Sequence, residues 1–215
     1  METNDFLKQL RSDFTKQSLS EKDIYSNPFS QLDKWIHEAV EGKVLEPIAT
    51  CISTVSKYGQ PSSRIVYVRD IQKNGLVFFT NYESKKGSDI SINSQACMNF
   101  FWPELERQIR IEGIIEKVEE RISDAYFESR PKSSQIGAWA SHQSEKLESR
   151  EELEQRVTAL TEKYKDAKVP RPENWGGFIL VPHYFEFWQG RPSRLHDRIS
   201  YSLEEESWKT DRLNP

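Results

Sequence analysis

The stretch PIATCISTVSKYGQPSSRIVYVRDIQKNGLVFFT, residues 47–80, decides the fold class. β-Branched and aromatic residues crowd 47–56 and 61–69, and Lys57-Tyr58-Gly59-Gln60 separates them, which predicts a hairpin. A second turn at Gln72-Lys73-Asn74-Gly75 leads into a strand at 76–80, because Asn-Gly readily supplies the positive backbone dihedrals of a tight hairpin. Moving outward, 96–102 and 108–118 read as two further strands, the second with Ile109, Ile111 and Ile115 on one face. Strand-like runs return at 177–181, 184–189 and 195–202.

Helical periodicity interrupts these strands. Phe6, Leu7, Leu10 and Phe14 predict a short amphipathic helix over 5–16. Asn27-Pro28 offers an N-cap and a proline in the first turn, ahead of a stripe of Phe29, Leu32, Trp35, Ile36, Ala39 and Val40. Residues 120–129 and 149–164 are also helical in pattern, the latter with Leu153, Val157, Leu160 and Tyr164 on one stripe. Strands without a regular strand-helix alternation exclude a doubly wound parallel sheet and predict a mainly β fold: an antiparallel barrel with attached helices.

The 215 residues suffice for one substantial domain. Eleven Phe, eight Tyr and six Trp supply large buried surfaces despite a hydrophobic share of 36%. A formal charge of -4 gives no global reason to bind nucleic acid, so any anion site must be local. Cys51 and Cys97 lack metal or redox spacing and read as small buried thiols, which suits a cytoplasmic protein. No stretch approaches membrane-spanning length.

Four clusters can carry chemistry. Arg64 and Arg69 lie five apart, on opposite faces of a regular strand, so one anion clamp would need a twist or a break there. Thr80, Ser84, Lys85 and Lys86 follow a strand and precede a helix, where hydroxyls, ammonium groups and free N–H groups can hold a phosphate. Tyr126 and Arg130 fall on one helix face, and Pro131 ends that helix beside Ser133 and Ser134. Alternation puts Arg194, His196 and Arg198 on one strand face, with Trp188 nearby as a flat surface. His196 alone makes no metal site, and neither a catalytic triad nor a dinucleotide or phosphate-loop fingerprint is present. Several anion sites among aromatic residues favour a planar phosphorylated ligand; a nucleic-acid-binding barrel would use the same features, and a protein scaffold is the plainest alternative.

From about residue 11 to the C-terminus the chain closely resembles the pyridoxine/pyridoxamine 5'-phosphate oxidase family. The motifs that carry the resemblance are RIVYVR, FFTNYESKKG, ERQIRIEG, SRPKSSQIGAWAS with HQS after it, WGGF, EFWQGRPSRLHDR and the terminal WKTDRLNP. It implies an FMN-binding split β-barrel over 28–215, an N-terminal extension at 1–27 that serves as an active-site cover, and a homodimer with both sites shared between subunits. The implied reaction oxidises phosphorylated B6 vitamers to pyridoxal 5'-phosphate by hydride transfer from C4' to flavin N5, with dioxygen as the final acceptor and hydrogen peroxide as a product.

The resemblance also implies roles for residues. Arg64, Phe79, Thr80, Lys85 and Lys86 look like FMN contacts, with Gln108, Gln143, Ser144, Trp188 and Arg198 completing the cofactor shell. Arg69, Tyr126, Arg130 and Ser134 match substrate-phosphate positions. Arg194 and His196 match the groups that hold the substrate ring beside the flavin, and Arg11 and Phe14 fall where the family covers the substrate. Three departures stand out: Arg69 replaces a common lysine, Lys85 the usual arginine, and Phe14 a frequent tyrosine, which removes a hydroxyl donor.

Overall fold

The computed structural model describes residues 13–215. Asn27 starts the first described helix, α1 (Pro28–Glu41), by accepting the Phe29 N–H at 2.8 Å while Pro28 occupies the first turn. Leu32, Trp35 and Ala39 are buried along its stripe, whereas Val40 is turned outward and 58% exposed. The chain then forms β1 (Ala49–Val55), β2 (Pro61–Tyr67), β3 (Asp70–Gln72) and β4 (Gly75–Asn81), followed by α2 (Lys85–Ile92). Next come β5 (Gln95–Trp102), β6 (Arg107–Lys117), α3 (Glu120–Ser129), α4 (Lys132–Ala140) and α5 (Arg150–Lys163). The chain closes with β7 (Trp175–Gln189), β8 (Asp197–Glu204) and β9 (Ser207–Arg212). The strand path is β2-β1-β5-β6-β7-β4-β3, and β8 pairs with both β7 and β9. Pairs β1–β2, β3–β4, β4–β7, β7–β8 and β8–β9 are all antiparallel, as the run of hairpin signals requires.

Two compact units divide the chain. The first takes the described part of Met1–Ile48 with Asn99–Ile111 and His183–Pro215. Its core joins the α1 stripe to aromatic residues of β7 and β8: Trp35 meets Phe187 edge-on at 5.1 Å, and Phe187 meets Tyr201 at 5.6 Å. The second unit takes Ala49–Met98 and Glu112–Pro182. There Phe127, Ile136, Tyr164, Val169 and Trp175 form a buried cluster against which Phe79, Tyr126 and Leu160 pack.

Several expectations need correction. Residues 13–16 are not helical, and the rest of the helix expected at 5–16 lies outside the described residues. The β3–β4 turn sits where Asn-Gly placed it, but neither Asn74 nor Gly75 has a positive φ. Gly75 is needed for a different reason, since a Cβ there would lie 2.3 Å from the Leu180 carbonyl oxygen. The runs at 177–181 and 184–189 are one strand that continues through Pro182, opposite Gly113, where a Cβ would be 2.2 Å from the Val181 carbonyl oxygen. Cys51 and Cys97 are only half-buried, and the Cys97 thiol donates to the Met98 carbonyl at 3.6 Å. Along α5 no side chain is fully buried, and Val157 is 36% exposed; Tyr164, just beyond the helix, enters the core instead. The strand expected at 61–69 ends at Tyr67, and the separate strand β3, helix α4 and strand β9 are not marked in the sequence. Helix α4 lacks a clear apolar stripe, and Trp208 is the one large apolar residue of β9. None of the described helices is long and apolar enough to cross a membrane.

Helix α2 is placed by one close approach. Ser84 caps it, accepting the Gly87 N–H at 3.4 Å, and a Cβ on Gly87 would stand 1.9 Å from the Tyr82 carbonyl oxygen. That partner is backbone and cannot swing aside. Gly87→Ala should therefore lower unfolding stability by about 1–3 kcal/mol, as overpacking does, read from urea denaturation of the variant beside the parent.

Candidate active site

The second unit holds a cavity of about 910 Å³, a size that suits a cofactor-sized ligand. Arg64 from β2, Phe79 and Thr80 from β4, Lys86 from α2, and Arg130 and Ser134 from the α3–α4 junction all line it. Arg69 lines it as well, because β2 ends at Tyr67 and the chain breaks before β3, which overrides the strand alternation that separates the two arginines in sequence.

One wall is built for an anion. Lys86 is 7% exposed, and its Nζ donates to Thr80 Oγ1 at 2.8 Å and to Ser84 Oγ and Gln143 Oε1 at 3.2 Å each. All three acceptors are neutral, and no carboxylate among the described residues pairs with it. Burial first, and the Arg64 charge second, pull its pKa down to about 8. Arg64 is held by two hydroxyls, donating from Nη1 to Thr54 Oγ1 and from Nη2 to Ser62 Oγ, each at 2.7 Å.

The opposite wall gathers a second cationic set. Arg130 caps the end of α3 in extended backbone, so it leaves the helix face that its spacing from Tyr126 implied. Its guanidinium lies over the Trp175 ring at 4.5 Å, and its Nη1 is buried with no hydrogen-bond partner. Helix α4 begins immediately afterwards with no side-chain cap, leaving its first N–H groups beside Ser134. Phe79 and Tyr126 stack at 3.8 Å and 13°, and Phe79 runs nearly parallel to Trp175 at 5.8 Å. Sequence reading missed Trp175; no periodicity ties this first residue of β7 to an arginine at the end of α3.

Two expected contacts within the second unit do not line the cavity. Lys85 is half-exposed and donates to Asp89 at 2.9 Å, one helical turn on. Ser144 follows Gln143 in an exposed loop, with φ at 76°.

Gln108, Trp188, Arg194, His196 and Arg198 belong to the first unit. The strand alternation expected for 194–198 does not hold. Pro192–Arg194 is a short 3-10 turn in which Ser193 and Arg194 have φ of 56° and 62°, and β8 starts only at Asp197. The turn leaves Arg194 exposed and folds His196 back, so that its Nδ1 accepts the Arg191 N–H at 3.1 Å. Burial, then the Arg194 charge, lower the His196 pKa, so the neutral ring carries its proton on Nε2 and offers a donor there. The His196 and Trp188 rings lie 4.6 Å apart, and Phe14 meets both edge-on at 5.4 and 5.7 Å. Arg198 donates from Nε to the buried Glu186 carboxylate at 2.8 Å, which Arg110 also approaches at 3.1 Å. Gln108 is half-buried on β6, and Arg11 lies outside the described residues. Among the described residues no group of three His, Cys, Asp or Glu side chains is arranged to hold a metal ion.

Comparison with known proteins agrees over nearly the whole chain. Residues 36–164 match the family model described as pyridoxamine 5'-phosphate oxidase, and residues 175–215 the one described as pyridoxine 5'-phosphate oxidase C-terminal dimerisation region. A pyridoxine/pyridoxamine 5'-phosphate oxidase of Cytophaga hutchinsonii is 52% identical, with all of both chains covered. Its counterpart in Mannheimia succiniciproducens is 48% identical over 97% of this chain and 99% of its own. Among solved structures, PhzG from Burkholderia lata in complex with tetrahydrophenazine-1-carboxylic acid superposes with a TM-score of 0.87 at 32% identity, covering 93% of this chain and 98% of that one. The fold is thus the antiparallel FMN-binding split β-barrel.

Lys86 sets a pH signature. Its amine should titrate near pH 8 in the free protein, and a phosphate-bearing ligand, by favouring the ammonium form, should raise that value. Binding at pH 8–9 then takes up a proton, and affinity falls as the pH rises above about 8. Calorimetry in two buffers of different ionisation enthalpy measures the uptake, and Lys86→Met should abolish it.

Proposed function

Because this chain belongs to the pyridoxine/pyridoxamine 5'-phosphate oxidase family, whose members are FMN-dependent oxidases of B6 vitamers, we propose that it converts both pyridoxamine 5'-phosphate and pyridoxine 5'-phosphate to pyridoxal 5'-phosphate. The observation that carries this reading is a cavity with two cationic walls and an aromatic face, in which the Lys86 ammonium and Arg130 Nη1 both lack an anion. These residues fit two phosphates and a flat ring system. FMN bound there would supply the two-electron acceptor at its N5, taking the equivalent of a hydride from substrate C4' and returning the electrons to dioxygen as hydrogen peroxide.

The chain's own part is binding and orientation. Arg64, Thr80, Lys86 and Gln143 would hold the cofactor phosphate and ribityl chain, with Phe79 beside them and Lys85 adding its charge from its pairing with Asp89. Arg69, Tyr126, Arg130, Ser134 and the uncapped start of α4 would anchor the substrate phosphate. Gln108, Ser144, Trp188 and Arg198 would complete the cofactor shell, while Arg194 and the Nε2 donor of His196 fix the substrate ring with C4' toward the flavin. In a homodimer Arg64 and Lys86 come from one subunit and Arg194 and Arg198 from the other, and the N-terminal extension at 1–27 brings Phe14 over the ring as an apolar cover.

The purified protein should be yellow, release FMN, and bleach when pyridoxamine 5'-phosphate is added without oxygen. Arg130→Ala, loaded with FMN, should lose at least about tenfold in kcat/KM, since one charge-assisted hydrogen bond in a desolvated site contributes about 1.5–3 kcal/mol. A protein that cannot be reconstituted with FMN overturns the assignment.

Site sharing has its own test. Arg64→Ala/Lys86→Ala and Arg194→Ala/Arg198→Ala subunits should each be inactive alone. After equal exchange about a quarter of sites should recover, because half the dimers are mixed and each has one site with two intact sets. Doubly tagged, FMN-loaded dimers that stay inactive, while remixed parent subunits recover, would show that sites are not shared.

A further inference from the structure

We infer that Asp89 is a positioning residue for the cofactor anion, acting through the Thr54 hydroxyl to fix the Arg64 guanidinium; the inference rests on the reading of this cavity as the FMN site. Asp89 does not line the cavity. It sits on α2 with 5% exposure, and its Oδ2 lies 2.9 Å from Thr54 Oγ1, which is itself fully buried on β1. Thr54 Oγ1 also lies 2.7 Å from Arg64 Nη1.

The direction of this chain is set by the chemistry of its ends. A hydroxyl has one proton to give, and an arginine can only donate. Thr54 therefore must accept from Arg64 and give its proton to Asp89 Oδ2, which must itself carry no proton; with Lys85 donating to both carboxylate oxygens, the carboxyl is ionised. Burial opposes ionisation, but hydrogen bonds from Lys85 and Thr54, with the nearby Lys85 and Arg64 charges, outweigh it and hold the Asp89 pKa below its ordinary value. Lys85, donating at 2.9 and 3.2 Å to the two carboxylate oxygens, supplies the countercharge from the solvent side. Ser62 fixes the other terminal nitrogen of Arg64 at 2.7 Å. Both ends of the guanidinium are thus tied to hydroxyls before any anion arrives, which reduces the ordering that binding must impose.

A packing role and a relay role make opposite demands at Thr54. Packing in a fully buried site prefers Thr54→Val, which keeps the shape; the relay prefers Thr54→Ser, which keeps the hydroxyl. We expect Thr54→Val and Asp89→Asn each to raise the Kd of the apo-protein for FMN about tenfold, read from quenching of flavin fluorescence, with Thr54→Ser within about threefold of the parent. Combining Thr54→Val with Asp89→Asn should cost little beyond either alone, because both interrupt one path. Urea denaturation of each apo-variant separates loss of binding from loss of fold. If the parent binds FMN and Arg64→Ala weakens it, but Thr54→Val binds as the parent does while Thr54→Ser is the weaker, the relay is wrong and the site stands. If the parent does not bind FMN, the reading of the cavity itself falls.

Discussion

The Lys86 ammonium is buried against neutral oxygens alone, and much of the second unit follows from that. Removing a charge from water without an opposite charge costs several kcal/mol, and here the burial registers as a pKa drawn down to about 8. Nothing in the local backbone relieves the cost. Helix α2 packs closely on the Tyr82 carbonyl through Gly87, the residue after Lys86. Ser84 both caps that helix and accepts from Lys86, so the element that buries the cation also solvates it. Its neighbour Arg64 adds a second cation, tied at both terminal nitrogens to hydroxyls.

Arg130 expresses the same principle by different means. A guanidinium over an indole is partly desolvated and partly compensated, and its unpartnered Nη1 leaves directional donor capacity. The two cationic sets are of unlike construction, one ammonium-based and one guanidinium-based, and the proposed function gives each a phosphate of its own. The ammonium is a compact charge that tolerates several approach directions, whereas the guanidinium fork demands a particular one.

How much of this was legible beforehand depended on whether the cause was local. The α1 cap at Asn27-Pro28, the β1–β2 hairpin, the turn into β4 and the α3 span each rest on neighbours in sequence, and each was readable. The Arg64–Arg69 pairing was not, because a strand break, and not strand periodicity, brings them to one cavity. Alternation failed again at Arg194 and His196, where positive φ at Ser193 and Arg194 replaces a strand with a turn; neither residue type signals such a conformation. β9 is reached through Glu205 and Glu206, both also at positive φ, and carries too little apolar surface to betray itself. The family motifs supplied the list of candidate site residues, while the contacts of Thr54, Asp89 and Trp175 with them depend on side chains meeting across elements distant in sequence.

Gly190 turns packing into a constraint on how this sequence can diverge. A Cβ at that position would meet the Phe14 ring at 2.7 Å, and Phe14 in turn touches Trp188 and His196 edge-on. The atoms in the way belong to a side chain and not to backbone, so the restriction is conditional: a larger residue at 190 is admissible once residue 14 is small or displaced. The two positions are therefore epistatic, although they lie near opposite ends of the chain. A lineage that gains a side chain at 190 first loses its aromatic cover, while one that first shortens residue 14 frees 190 to drift. The order in which substitutions accumulate, as much as their chemistry, decides whether an aromatic cover survives.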